Sequence, residues 1–180
     1  MINKNILMSY MMCLHIEPFF RLFSERFLFA SPNLVAGSLS TFQAELVNNK
    51  NMGEDLIQSN ISLLESFVPD MDDFDSALLP SLALDAIAAT LTLYDLIQNF
   101  IPSKLNDVFE IYKNTSEFID AELIEFSSFG RMPADCFSAR QLGKDFVCEL
   151  NKGLPTNTEL TESSFSMGRL IVDKYSYIIL

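Results

Sequence analysis

The sequence predicts an all-α, single-domain bundle of six or seven helices over residues 1–180, and three observations carry that prediction. Apolar residues recur at three- and four-residue spacing along most of the chain. Prolines and small capping residues break that pattern at intervals suited to helices joined by short loops. With 180 residues, 49% of them hydrophobic and 16 of them Phe, the chain can bury one sizeable core, hiding about 70% of its unfolded surface. No repeat, low-complexity tract or interdomain linker interrupts it.

Taken in order, Asn5 to Ile16 reads as a first helix ended near Pro18, and the Phe-rich piece through Phe29 reads as a second. Ser31-Pro32 reads as an N-cap followed by proline at the first helical position, opening a helix to about Val47. Leu56, Ile57, Ile61, Leu64 and Phe67 or Val68 mark the apolar stripe of a helix that stops before Pro69. From Ser81 to Phe100 nearly every position is apolar, while Ser81, Asp85 and Thr92 fall on one narrow line, as in a central helix. Ser103 caps a long amphipathic helix with Val108, Ile111, Tyr112, Phe118 or Ile119, Leu123 and Phe126 inward. Asp107, Glu110, Glu117 and Asp120 face outward on it. Pro133 starts a helix to about Asn151, with Gly153 as its stop. The segment 155–180 stays open: Thr158 suits a helix cap, yet Ile171 to Leu180 is rich enough in β-branched and aromatic residues for a strand.

Charge narrows the function classes. Twelve Lys and Arg stand against 24 Asp and Glu, a formal net charge of −12, which disfavours bare nucleic acid and anionic membranes and steers basic proteins toward the chain. The acid is concentrated. Between Lys50 and Lys104 there is no Lys or Arg, while Glu54, Asp55, Glu65, Asp70, Asp72, Asp73, Asp75, Asp85 and Asp95 all lie there. From Arg131 onward, basic and acidic residues balance. Cys13, Cys136 and Cys148 form an odd set without a close pair, read as buried thiols in a reducing compartment. The apolar run after Lys4 lacks a small-x-small cleavage site, and Asp85 and Asp95 interrupt the stretch from Leu78 to Ile97, so neither reads as a secretion signal or a membrane span. A cytoplasmic protein is expected.

Candidate chemistry is sparse. His15 is the only histidine, so no multi-histidine metal site can form within the chain. The spacing His15-Ile16-Glu17 resembles a zinc-deaminase motif whose Cys-x-x-Cys partner is missing. Asp70, Asp72, Asp73 and Asp75 invite a calcium reading, but Phe74 occupies a ligand position, no glycine sits at the sharp turn and no Glu closes the loop. The plainer reading is that Asp72 or Asp73 caps a helix entering at Phe74. Asp85 is a candidate buried base without a second converging carboxylate. No phosphate-binding glycine loop or nucleophile elbow is present.

Pro69-Asp70-Met71-Asp72-Asp73-Phe74-Asp75, followed by Ala83-Leu84-Asp85-Ala86 at the head of an apolar helix, resembles the YjaG-like bacterial family, domain of unknown function 416. In that family an Asp-Phe motif precedes a tyrosine-rich turn and a Pro-Ala-x-Asp-Ala helix start. Here Ala83, Asp85 and Ala86 fit, Pro80 is displaced and the tyrosines are absent. Cys13-Leu14, Phe23 and Phe29 are similar to the family's first helices, whose Cys-Glu-Arg run is broken by His15-Ile16. The resemblance covers residues 5–100. It implies an all-α fold and transfers no active site, because members have no established catalytic role.

These readings converge on a non-catalytic acidic binding protein, most concretely an immunity-type antitoxin that covers a basic bacterial toxin. Asp70, Asp72, Asp73, Asp75 and Glu65 form its expected partner-binding surface, and no catalytic residue, metal or cofactor is expected. The competing expectations are an enzyme or small-ligand protein with a site near Asp85, and a structural homo-oligomer built on surplus apolar surface.

Overall fold

Residues 2–27 form one helix, α1 (Ile2–Phe27), in the computed structural model, which describes residues 2–47, 53–75, 77–99, 103–122, 138–154 and 161–175. The expected break at Pro18 does not occur. Proline inside a helix costs roughly 3 kcal/mol through a lost hydrogen bond and a clash with the carbonyl four residues back. The core stripe runs straight through it, with Cys13, Ile16, Phe19, Phe20 and Phe23 at 0–1% exposure. Burial worth about 1.5–3 kcal/mol for each large side chain exceeds the local penalty.

The second helix, α2 (Leu34–Val47), starts two residues later than Pro32. Ser31, Pro32 and Asn33 form a turn in which the Ser31 carbonyl accepts from the Leu34 N–H at 3.0 Å, and the Asn33 carbonyl takes the Gly37 N–H at 2.7 Å. Helix α3 (Glu54–Glu65) ends before Pro69 as expected, with Ile57 and Leu64 buried. A single 3-10 turn (Met71–Asp73) leads to α4 (Leu78–Asn99), which begins three residues ahead of the expected Ser81. Pro80 is tolerated in its first turn, where N–H groups lack intrahelical partners, and Ser81 donates the next bond to Ala77 at 3.0 Å.

Helix α5 (Ser103–Ala121) buries Val108, Tyr112 and Ile119 on the predicted face, with Thr115 and Ser116 beside them. The expected inward positions Leu123 and Phe126, and the helix start at Pro133, lie outside the described residues. Helix α6 (Ala139–Gly153) is capped by Ser138, whose hydroxyl accepts from the Gln141 N–H at 3.1 Å. The ambiguous C-terminal segment is helical as far as it is described: α7 (Glu162–Lys174) starts from a capping box in which Thr161 and Ser164 satisfy each other's backbone N–H groups. Thr158 lies outside the described residues.

Helices α1 and α4 form the central pair, with α2 and α3 on one side and α5, α6 and α7 completing the bundle. All seven α-helices among the described residues contribute to one continuous core, whose largest fully buried side chains include Tyr10, Tyr94, Tyr112, Phe42, Phe146 and Phe165. Tyr10 stacks on Phe42 with ring centroids 5.7 Å apart and meets Phe165 edge-on at 5.1 Å, joining α1, α2 and α7. Among the described residues, these two central helices are the ones long and apolar enough to cross a bilayer by length and composition. Their apolar surface faces the other helices, with 72% of the α1 window and 56% of the α4 window buried.

Candidate functional site

The acidic connection between α3 and α4 exposes all five of the predicted partner-binding residues, Glu65, Asp70, Asp72, Asp73 and Asp75. None of them forms an ion pair among the described residues. Glu65 is the last residue of α3, and the Asp70 carboxylate accepts the Asp72 N–H at 3.1 Å. The capping acid is therefore Asp70 rather than Asp72 or Asp73. It caps the 3-10 turn, and no helix enters at Phe74, whose backbone is extended.

Phe74 has a different task. Its ring meets those of Phe23 at 5.1 Å, Phe27 at 5.0 Å and Phe29 at 6.1 Å, tethering the acidic turn to the C-terminal end of α1. There Phe27 is 36% exposed and Leu28 is 90% exposed, and Leu28 sits at φ 52°. A branched side chain in the left-handed region costs roughly 1–2 kcal/mol, which is why glycine usually ends a helix in this way. Leu63 and Val68, on the two sides of Glu65, are also exposed. Unpaired carboxylates and exposed apolar side chains thus occupy adjoining parts of the surface.

Nothing at this connection gathers a cation: among the described residues no group of three or more His, Cys, Asp or Glu side chains is placed to hold a metal ion. Asp85, the candidate base, accepts a hydrogen bond from Thr115 Oγ1 of α5 at 2.8 Å. Burial pushes its carboxyl above the usual carboxylate range, with the threonine bond opposing.

His15 is a buried joint. Its Nε2 lies 2.7 Å from the Tyr175 carbonyl and its Nδ1 lies 2.7 Å from the Tyr112 hydroxyl, while its ring stacks on Phe146 at 4.3 Å. A carbonyl only accepts, so Nε2 carries the proton and Nδ1 accepts from Tyr112. Burial pushes the imidazole down to about 4, with the Tyr175 bond opposing, so the ring is neutral at pH 7. One side chain of α1 thereby ties together α5, α6 and the end of α7.

Several chemical positions differ from the sequence reading. Cys13 is buried and its thiol is pushed up to about 12 by desolvation, but Cys148 is exposed; Cys136 lies outside the described residues. Asp120 is not simply an outward acid: it accepts from Ser138 Oγ at 2.9 Å and from the backbone N–H groups of Ala139 and Arg140 at 2.5 and 3.0 Å, capping α6 from α5. Glu17 is 7% exposed, with one carboxylate oxygen lacking a hydrogen-bond partner among the described residues, and desolvation raises its proton affinity against the pull of Arg21. A cavity of about 400 Å³ between α1, α5 and α6 was also missed. Its trace in the sequence is the one-turn spacing of Arg140, Lys144 and Cys148 on α6.

Neither a protein-family profile nor a curated protein sequence matches the chain. A crystal structure of a DUF416 family protein from Shewanella baltica OS155 superimposes on it with a TM-score of 0.78 at 20% sequence identity, covering 100% of this chain and 94% of that one. The likeness continues well beyond the stretch 5–100 in which the motifs are visible, and at that identity it is a likeness of fold. The chain has a DUF416-like fold.

Proposed function

We propose that this chain is a non-catalytic, cytoplasmic bacterial binding protein that presents an acidic face to a basic protein, in its most concrete form an immunity-type antitoxin. One observation carries the reading: Glu65 at the end of α3 and Asp70, Asp72, Asp73 and Asp75 on the connection that follows are exposed without ion-pair partners among the described residues, and Phe74 anchors that connection beside Phe27 and the protruding Leu28. Carboxylates of this kind speed encounter and reject wrong partners, whereas desolvated apolar anchors hold the complex. Leu28 fits the second role. It adds nothing to the core and sits in a strained backbone conformation, a combination that folding alone does not favour.

The test compares immobilised wild-type protein with the variant in which Asp70, Asp72, Asp73 and Asp75 are all Asn, and with Leu28→Gly, in low-salt lysate of the source bacterium. A basic protein retained by the wild type associates more slowly with the Asn variant, and that difference shrinks as salt is added. It dissociates faster from Leu28→Gly, whose folding stability is undiminished. Equal association rates with wild type and the Asn variant at low salt overturn the acidic-face reading.

A further inference from the structure

The cavity between α1, α5 and α6 stands apart from the acidic connection in both position and chemistry. Met8 of α1, Phe109 and Tyr112 of α5 and Val147 of α6 supply apolar walls, and Lys113, Arg140 and Lys144 supply cations. None of its lining residues is Asp or Glu. A chain of net charge −12 therefore brings a quarter of its twelve Lys and Arg to one cavity. Glu110 engages Lys113 at 3.3 Å and Glu117 engages Arg140 at 3.3 Å, whereas Lys144 has no ion pair among the described residues. Lys4 of α1 donates its ammonium to the backbone carbonyl of the lining residue Asn151 at 2.6 Å. Gly143 holds α5 and α6 close along the wall, since a Cβ there would lie 2.8 Å from Ser116 Oγ.

We propose that this cavity binds a small amphipathic anion, an apolar chain or ring bearing a single carboxylate, with Lys144 as the principal partner of the head group. The volume of about 400 Å³ lies within the range of small-molecule sites. That is the room of roughly a dozen waters at about 30 Å³ each, enough for a short chain or a single ring. A nucleotide or sugar needs many more polar contacts than Ser116 and Asn151 provide among these walls, while an aliphatic or aromatic acid uses the apolar surface and the cationic rim together. The site is independent of the acidic face, so either assignment can fail without the other.

The probes are octanoate, 1-octanol and octylamine, which share a chain and differ in head group. Binding is read by saturable thermal stabilisation and by protection of the exposed Cys148, which lines the cavity, from alkylation, quantified by peptide mass spectrometry. Octanoate stabilises and protects, octanol binds about tenfold more weakly, and octylamine has no effect. Lys144→Glu, an exposed position that leaves helicity unchanged, weakens octanoate about tenfold and spares octanol; Val147→Trp fills the cavity and removes both. Indifference of all three probes to both variants, equal binding of the three head groups, or no saturable octanoate effect at millimolar concentration overturns the proposal.

Discussion

At the scale of single residues, burial sets the proton affinities that govern acid stability. His15 titrates near 4 in the folded protein, against about 6.5 in an unfolded chain. Between those values the unfolded chain binds a proton that the folded chain refuses. Stability is therefore full above pH 6.5 and declines as pH falls toward 4, by a total on the order of 3 kcal/mol from this residue. Glu17 and Asp85, whose carboxyls burial pushes up, act in the opposite sense, stabilising the fold at acidic pH and weakening it as pH rises. Urea titrations of wild type and His15→Gln from pH 4 to 7 isolate the histidine, because both carboxyls are common to the two proteins. The wild type loses stability more steeply as pH drops; parallel curves contradict a neutral His15. The sequence shows that His15 is alone and unsuited to a metal site. It does not show the Tyr112 hydroxyl or the Tyr175 carbonyl, because those partners lie 97 and 160 residues away.

At the scale of elements, helix spacing sets what can pack where. A Cβ on Gly168 of α7 would lie 2.3 Å from Met11 Cε and 2.7 Å from Met11 Sδ of α1. Met11 is fully buried, so it has little freedom to retreat. Gly168→Ala therefore lowers stability by about 1–3 kcal/mol through overpacking, despite alanine's better helix propensity, and Met11→Ala placed in the same chain recovers part of the loss. Chemical denaturation of the three variants checks this, and an unchanged midpoint for Gly168→Ala contradicts the close approach. Helix type was legible because apolar spacing is a local property: α3 and α5 follow their predicted stripes. Boundaries were less legible. Pro18 obeys the core stripe rather than its own preference, Pro32 belongs to a turn, and Pro80 is absorbed into a first turn. Caps made in space were also invisible, since the Asp120 that caps α6 comes from α5 and reads on its own helix as a solvent-facing acid.

At the scale of the whole molecule, a net charge of −12 opposes the compact state through self-repulsion. The five ion pairs among the described residues join mostly exposed side chains and contribute little each. Screening therefore relieves more repulsion than it removes attraction. The melting temperature rises between low and moderate sodium chloride, and rises less in the variant carrying Asn at Asp70, Asp72, Asp73 and Asp75, which has four negative charges fewer. Differential scanning calorimetry reads both, and a fall with salt in the wild type contradicts the argument. The concentration of acid between Lys50 and Lys104 was plain in the sequence. Its setting beside Phe27 and Leu28 was not, because it depends on Phe74 crossing to the end of α1. The cavity escaped for the same reason: its walls come from three helices, and Met8 of α1 lies 101 residues before Phe109 of α5.

The clasp between His15 and Tyr175 fixes an order of events at the ribosome. The imidazole of α1 gains its bond to the Tyr175 carbonyl only once the 160 residues that separate them have been synthesised. A nascent chain arrested before Tyr175 carries α1 with that bond still unmade, so this joint cannot close while α1 alone has emerged.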